Sequence, residues 1–179
     1  MDFKELKSQS FYDIKAAEVS TMTLVNGFVL LLVANGAPVL AGALTGGGTA
    51  KPIDGGTRLN DGRAVFGASK TWRGLFAAFA ATIAVTHWMG YGMVTGMLFA
   101  IGAMTGDLLA SFCKRRLGRR ESSHLRWLDT VPESFLPLLM VKSNLVISWL
   151  DIAVLVGAFY LIEKWSSPLL YKWHLRKQP

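Results

Sequence analysis

Apolar residues fall into four long runs separated by polar or charged segments. The runs cover residues 21–44, 72–88, 91–112 and 144–162. A helix that crosses a bilayer needs roughly 20 mostly apolar residues, because lipid offers no hydrogen-bonding partner to the backbone. Charges are rare within the runs: Arg73 opens the second, and Asp107 and Asp151 lie in the third and fourth. The pattern therefore predicts four transmembrane helices.

A fifth segment, residues 127–141, is apolar but is interrupted by two acidic residues and two prolines. We expect it to cross the membrane as well. An ionisable helix is tolerated where it faces a polar cavity, and a fifth crossing puts both neighbouring basic loops on the same membrane face. The prediction is an all-α, polytopic membrane protein with five transmembrane helices. It forms a single domain over residues 1–179 with a polar cavity on the cytoplasmic side.

Two loops hold most of the positive charge. Residues 44–73 contain five basic and two acidic residues, and residues 114–126 contain six basic and one acidic. The N-terminal leader, residues 1–20, contains three basic and four acidic residues. Cytoplasmic loops of membrane proteins carry an excess of Lys and Arg. We therefore expect loops 45–71 and 113–126 in the cytoplasm, the leader outside the cell membrane and the C-terminus inside.

Composition supports a bilayer environment and narrows the range of partners. Hydrophobic residues make up 51% of the chain and the mean hydropathy is +0.35, which is more apolar than an ordinary soluble domain. A formal net charge of +7 would suit nucleic acid, anionic lipid or an anionic small substrate. Its placement at one membrane face favours an anionic nucleotide, with no nucleic acid. The single cysteine, Cys113, excludes an internal disulfide.

The first basic loop has the composition of an anion-binding segment. It contains a glycine run at 46–48 and ends at a predicted helix start with Ser69-Lys70-Thr71, followed by Arg73. Glycines let backbone amides approach phosphate oxygens, and a helix N-terminus favours anions. The Gly-x4-Gly-Lys spacing of a P-loop is absent. We expect phosphate ligands here, and the alternative is a positive-inside loop that contacts lipid headgroups.

A polar face runs along the end of the third predicted helix. Asp107, Ser111 and Lys114 are four and three residues apart, so they share one side of a helix, and Arg115 and Arg116 follow. An Asp in a membrane helix costs about 2.5 to 3.5 kcal/mol on insertion scales, which makes a functional or paired role the expectation. The alternative is a structural ion pair of Asp107 with Lys114 or with a nearby arginine.

Two further carboxylates, Asp129 and Glu133, are four residues apart and would repel each other on a helix unless a cation lay between them. Together with Asp107 they form an acidic group that suits Mg²⁺, which binds carboxylates together with substrate phosphates. We predict Asp107, Asp129 and Glu133 as metal ligands, and Asp107, Asp129 and Lys114 as catalytic groups of a phosphoryl or nucleotidyl transfer. The alternative is a helix cap at Asp129 with Glu133 in the first turn.

Three segments together resemble the archaeal CDP-archaeol synthase family, a relative of the phosphatidate cytidylyltransferases. They are Ala34-Asn35-Gly36-Ala37-Pro38, then Asp61-Gly62-Arg63 through Gly67-Ala68-Ser69-Lys70-Thr71-Trp72-Arg73-Gly74, and Gly106-Asp107 through Lys114-Arg115-Arg116-Leu117-Gly118 with Leu128-Asp129 through Pro132-Glu133. Five helices agree with that family. The Pro-Gly-His-Gly-Gly and Asp-Arg-x-Asp signature of the bacterial and eukaryotic lipid cytidylyltransferases is absent, and residues 128–133 stand in the corresponding place.

The resemblance implies an enzyme that uses CTP, Mg²⁺ and an unsaturated archaeal ether-lipid phosphate. It would form a CDP-activated lipid and release pyrophosphate. Binding of CTP and of the prenylated glycerol phosphate would fall to Ser69, Lys70, Thr71, Arg73, Ser111, Arg115, Arg116 and Asn35.

Two other functions are weighed against this one. A small ion or lipid transporter could use Asp107 and Asp129 along an ion path, but transporters commonly carry inverted repeats and the sequence shows none. A CDP-alcohol phosphotransferase has an Asp-Gly-x2-Ala-Arg motif, which neither Asp54-Gly55 nor Asp61-Gly62 continues.

Overall fold

The computed structural model describes residues 3–45, 50–118 and 126–172 of the chain. Six helices lie in this part: α1 Phe3–Leu44, α2 Trp72–Trp88, α3 Met93–Arg116, α4 Arg126–Met140, α5 Lys142–Leu145 and α6 Trp149–Lys172. The glycine run 46–48 and residues 119–125 of the second basic loop lie outside the described residues, as do residues 1–2 and 173–179. The described part of the chain is therefore all-helical, as predicted.

Four of the five predicted membrane segments each coincide with one helix, although the ends differ. The last one along the chain, residues 144–162, begins in α5 and is interrupted at Val146, whose φ is 54°, before α6 begins at Trp149. Residues 3–20 are helical and continue directly into the first apolar run. The third helix extends beyond its predicted end at residue 112 to Arg116. By length and hydropathy, Thr21–Leu44 and Met93–Arg116 could each cross a membrane, with mean hydropathies of 2.0 and 1.5.

The start of α6 explains the acidic residue in the last apolar run. The Asp151 carboxylate accepts hydrogen bonds from the Ser148 backbone N–H and hydroxyl, both at 2.8 Å, and the Asp151 N–H donates back to the Ser148 hydroxyl at 3.1 Å. This reciprocal pair is a capping box, which satisfies backbone donors that the first turn of a helix leaves free. Asp151 therefore lies in the first turn of α6, where it bonds to the residue before the helix, and takes no part in the polar face of α3.

The interrupted fifth segment is helical because its prolines lie where another helix comes close. α4 continues through Pro132 and Pro137, and it packs on α3 more extensively than any other two described helices pack together. A Cβ added to Gly102 would lie 2.5 Å from the Pro137 Cα, and one added to Gly106 would lie 2.7 Å from the Glu133 Cα. The Gly-x3-Gly spacing lets helix backbones approach in this way.

The apolar core lies toward the α5 end of the bundle, away from the acidic contact of α3 with α4. All six helices contribute buried side chains to it, among them Leu30, Leu31, Ala78, Phe99, Leu138, Leu145, Ile152 and Leu155. Among the described residues, the buried charged ones are Lys114, Arg115 and Glu133, in the last turns of α3 and the first half of α4. The fold thus has an apolar end and a charged end.

We predict that Gly106→Ala forces α3 and α4 apart. The added methyl group would meet the backbone of Pro132 and Glu133, which cannot rotate aside as a flexible side chain can. The free energy of unfolding should fall by about 1–3 kcal/mol, as is typical of overpacking. The thermal unfolding midpoint in detergent measures this loss.

Gly157→Ala in α6 is the matched control, because nothing lies within 4 Å of the added Cβ. Since alanine favours a helix over glycine, this variant should unfold at the same or a higher temperature. An unfolding midpoint of Gly106→Ala equal to that of the unchanged protein would contradict the close contact.

Candidate functional site

The described loop between α1 and α2 folds back on itself and sets the position of Lys70. Two antiparallel bridges join its arms, Pro52 with Thr71 and Arg58 with Ala64. The Thr71 side chain accepts a hydrogen bond from the Gly74 N–H at 3.2 Å and so caps the N-terminus of α2. Lys70 is consequently held immediately before the first turn of α2.

Lys70 reaches across to the polar face of α3. Its ammonium donates to the Asp107 Oδ1 at 2.5 Å. The two side chains are only 22% and 24% exposed, so solvent screens the pair less than it would a surface salt bridge. This ion pair attaches the first basic loop to α3.

A second ion pair attaches α3 to α4. The Lys114 ammonium donates to the Asp129 Oδ2, and Lys114 itself is buried. The alternative pairing of Asp107 with Lys114 is therefore wrong. Seven residues separate these two on α3, a rise of about 10 Å, and each finds a closer partner on another segment.

The electrostatic surroundings keep Lys70 charged. Burial lowers the pKa of its ammonium, but the Asp107 charge and hydrogen bond raise it, and the charges of Glu133 and Asp129 add to the increase. The net pKa lies above the ordinary lysine value. Lys70 is thus a fixed cation at neutral pH, suited to holding an anion and unsuited to removing a proton.

Glu133 is the unpaired member of this group. Its side chain is 7% exposed, and no hydrogen bond or ion pair joins it to another described residue. It lies within electrostatic reach of Lys70, Asp107 and Asp129, and of Glu163 on α6. Glu133 therefore lies beside the two ion pairs without forming one itself.

The three predicted metal ligands are close together but do not form a ready-made metal centre. Among the described residues, no three Asp, Glu, His or Cys side chains are arranged to hold a metal ion by themselves. Asp107 and Asp129 form ion pairs with Lys70 and Lys114 instead. Mg²⁺ is usually bound by one or two carboxylates together with substrate phosphates, so a complete protein cage is not required. The unpaired Glu133 beside two exchangeable carboxylates fits such an ion.

The arginines at the end of α3 hold the loop. Arg116 donates to the Asp61 Oδ2 at 2.6 Å, and Arg63 donates to the Arg116 carbonyl oxygen at 2.7 Å. Arg115 is buried, with its Nε 3.4 Å from the Phe66 carbonyl oxygen. Arg116, which the sequence predicts as a phosphate ligand, also donates to the carbonyl oxygens of Arg63 at 3.2 Å and Ala64 at 2.7 Å.

The remaining predicted ligands differ in burial and in the groups that they contact. Ser111 is buried on α3, whereas Ser69 is exposed on the loop. The Arg73 guanidinium faces α1, 3.9 Å from the position of a Cβ on Gly42. Asn35 donates to a carbonyl oxygen of its own helix at 3.0 Å. The structure thus assembles Lys70 and the charged groups of α3 and α4, while Ser69 and Asn35 lie outside these ion pairs.

Sequence reasoning missed an acidic residue of α6. The hydroxyl of the fully buried Thr130 donates to the Glu163 Oε2 at 2.6 Å, which ties α6 to the acidic part of α4. Glu163 lies just beyond residue 162, where the last span was predicted to end, and was counted with the tail. A helix prediction continued to Lys172 would have marked it, because an acid in a membrane helix indicates a partner or a function.

Comparison with known proteins gives relatives along most of the chain. Residues 21–91 and 78–164 match the family model of CarS-like CDP-archaeol synthases. The CDP-archaeol synthase of Hyperthermus butylicus is 44% identical over 104 residues, which cover 55% of this chain and 59% of that protein. The one of Methanosphaerula palustris is 38% identical over 99 residues, covering 48% and 58%. The matches thus span just under three fifths of these relatives.

A longer match and a solved structure point the same way. The CDP-archaeol synthase of Aeropyrum pernix is 34% identical over 167 residues, covering 87% of this chain and 92% of that protein. A solved structure described as an intramembrane enzyme for archaeal membrane lipid biosynthesis has a TM-score of 0.67 at 27% identity, and covers 80% of this chain and 91% of that one.

These matches agree with the all-helical, apolar architecture of a membrane protein, and they lend no support to a transporter. The family model covers more than half of the chain, and the Aeropyrum pernix protein is 34% identical over 87% of the chain. The chain belongs to the CarS-like CDP-archaeol synthase family.

Proposed function

We propose that this chain is a membrane cytidylyltransferase of phospholipid biosynthesis, a CTP-dependent nucleotidyltransferase. It transfers CMP from CTP to an archaeal ether-lipid phosphate, unsaturated archaetidic acid, and forms CDP-archaeol and pyrophosphate. The observation that carries the proposal is the group of Lys70, Asp107, Lys114, Asp129 and Glu133 at the charged end of the bundle. Cations that hold phosphates beside carboxylates that suit a metal are the components of phosphoryl transfer.

The chemical step requires no strong base. An oxygen of the ionised lipid phosphate attacks the α-phosphorus of CTP and forms a new P–O bond. The bond from that phosphorus to the bridging oxygen of the β-phosphate breaks, and its electron pair leaves with pyrophosphate. A phosphate monoester is already anionic at neutral pH, so no side chain has to remove a proton. Lys70 and Lys114 contribute positive charge that holds the phosphates and balances the charge of the transition state.

The other polar residues around the two ion pairs bind the substrates. Triphosphate and lipid phosphate are held by Ser69, Thr71, Arg73, Ser111 and Arg115, with Asn35 on the neighbouring face of α1. Thr71 uses its oxygen to accept from Gly74, which leaves the hydroxyl proton free to donate to a phosphate. Arg116, which is ion-paired with Asp61 as the two lysines are with their aspartates, joins the phosphate-binding group.

Asp107, Asp129 and Glu133 are the groups that would hold Mg²⁺. The ion, when bound, supplies further charge neutralisation at the phosphates. Lys70 and Lys114 neutralise two of the three carboxylates in the structure. Entry of the nucleotide gives the lysines new partners among its phosphates and frees the carboxylates, so the charge of the site stays balanced.

The five apolar helices cross the membrane in this proposal: α1 from residue 21, then α2, α3, α4 and α6. Loops 45–71 and 113–126 and the C-terminus lie in the cytoplasm, the N-terminus lies outside, and the polar cavity opens to the cytoplasm. The charge of the loops supports this orientation. Cys113 is exposed near the cytoplasmic end of α3, so its labelling by a membrane-impermeant maleimide from outside intact cells would contradict it.

We predict that Lys70→Gln and Asp107→Asn each abolish most of the activity. Each change removes a positioned charge from the phosphates or the metal, and losses of about 10²-fold to 10³-fold in kcat are typical of such groups. CTP-dependent pyrophosphate release by the purified protein with a prenylated glycerol phosphate measures the effect. Lys142→Gln is the control, because Lys142 lies over the Trp149 ring beside the apolar end of the core. Full activity of either site variant would overturn the assignment.

We predict that Glu133 carries the Mg²⁺ dependence of nucleotide binding. A ligand that binds only the folded state stabilises it by about 2.7 kcal/mol at a hundredfold excess over its Kd. CTP with Mg²⁺ should therefore raise the thermal unfolding midpoint more than CTP with a chelator. In Glu133→Gln, which keeps the size of the side chain but lacks the charge, this difference should disappear. If the difference persists unchanged in the variant, Glu133 is not a metal ligand.

A further inference from the structure

Asp54 makes three hydrogen bonds to the backbone of the first basic loop. Its Oδ1 accepts from the Gly56 N–H at 3.0 Å, and its Oδ2 accepts from the N–H groups of Phe66 and Gly67, both at 2.9 Å. The first bond is a local turn, whereas the other two join parts of the loop that are 12 and 13 residues apart. One carboxylate therefore closes the loop on itself.

The segment that Asp54 holds is the one that carries Lys70. Gly67 is buried and has a φ of 98°, a conformation that favours glycine, and its carbonyl oxygen accepts from the Lys70 N–H at 3.2 Å. The Lys70 carbonyl oxygen accepts in turn from the N–H of Ile53 at 2.8 Å. Because Ile53 is the neighbour of Asp54, the hydrogen bonds form a closed ring around the turn.

We propose that Asp54 is a positioning residue for Lys70, because its bonds to Phe66 and Gly67 fix the turn from which the Lys70 ammonium reaches Asp107. Asp54 acts through the backbone. The role of Lys70 in holding a phosphate rests on the proposed function, whereas the positioning of Lys70 by Asp54 does not. Pre-ordering matters because a small displacement of a charged group in a site costs much of its effect.

The charge state of Asp54 supports the geometry. Partial burial raises the pKa of its carboxyl, but the N–H groups of Gly67, Phe66 and Gly56 together lower it below the ordinary value. The carboxylate, which can accept all three bonds, is therefore the form present at neutral pH. Its contribution is lost only as the pH falls through the lowered pKa. An asparagine has one oxygen, which accepts, and one NH₂ group, which only donates. In Asp54→Asn the NH₂ group would therefore face at least one of these backbone N–H groups, and no hydrogen bond could form there.

The test is a double-mutant cycle between Asp54→Asn and Lys70→Gln, read as kcat/KM for CTP. Bonds to a charged acceptor are strong enough that Asp54→Asn alone should lower kcat/KM by about 10-fold to 100-fold. In the Lys70→Gln background the same change should cost less than about 3-fold, because residues that act through one another are not additive. Gly67→Ala, which strains the same turn from its other side, should show the same pattern.

Asp151→Asn is the matched control. Asp151 also accepts from a backbone N–H, that of Ser148, but it lies in the first turn of α6, near the apolar end of the bundle. This variant should leave kcat/KM unchanged in both backgrounds. Equal losses from Asp54→Asn with and without Lys70 would show that Asp54 acts only on the general stability of the loop, and would overturn the proposal. Full activity of Asp54→Asn would do the same.

A second readout does not depend on the reaction. Reductive methylation with ¹³C-formaldehyde labels the amino groups of lysine side chains. The Lys70 signal is assigned by comparing spectra, since it is present in the protein without substitutions and absent from Lys70→Gln. In Asp54→Asn this signal should move toward that of a freely exposed lysine, and in Asp151→Asn it should stay in place. A Lys70 signal unchanged by Asp54→Asn would overturn the positioning role. If the protein without substitutions fails to transfer CMP, the proposed function is wrong. The NMR signal of Lys70 still decides the role of Asp54 in that case.

Discussion

The close approach of α3 and α4 at Gly106 is the constraint on which the charged end of the fold depends. A side chain at this position would meet the backbone of Pro132 and Glu133. Because the chain has glycine there, the next residue, Asp107, lies beside the acidic first half of α4. The two prolines of α4 are accommodated at the same contact. The glycine that lets α3 and α4 pack closely thus also brings the charged residues of the two helices together.

The ion pairs of the site lower the cost of placing charged side chains in apolar surroundings. Charged groups in a low-dielectric setting are costly unless they are paired. Lys70 and Lys114 come from two different segments and neutralise Asp107 and Asp129. In the proposed function, each lysine would hold a phosphate and each carboxylate a metal ion. The charges that pair within the protein would then bind a highly charged nucleotide.

Glu133 stands apart from this pairing. It is buried without a hydrogen-bonding partner among the described residues, although it lies within reach of the charges of Lys70, Asp107 and Asp129. In the proposed function, Glu133 and the two ion pairs take up a metal ion and the phosphates of the nucleotide together.

The helices could be predicted from the sequence because the bilayer imposes the same demand on every crossing segment. The polar face of α3 could be predicted as well, since helical periodicity places Asp107, Ser111 and Lys114 together. The partners of these groups could not. Lys70 reaches Asp107 through a folded loop, and no spacing along the chain encodes that contact.

Three other features of the fold and the site escaped prediction for different reasons. Glu163 was missed because the predicted end of the last span fell at residue 162, although the helix continues to Lys172. The Gly-x3-Gly spacing of Gly102 and Gly106 was readable, but hydropathy does not register it. Asp54 has no sequence signal beyond its place among glycines, and its three backbone bonds appear only in the folded loop.

The central claim is that the charged end of the bundle transfers CMP to a lipid phosphate. The most direct measurement is the mass of the lipid product after the purified protein is incubated with Mg²⁺, a geranylgeranylated glycerol phosphate and each of the four ribonucleoside triphosphates in turn. The account predicts a lipid that has gained one CMP unit with CTP and no comparable product with the others. A lipid of unchanged mass in the presence of CTP would contradict it.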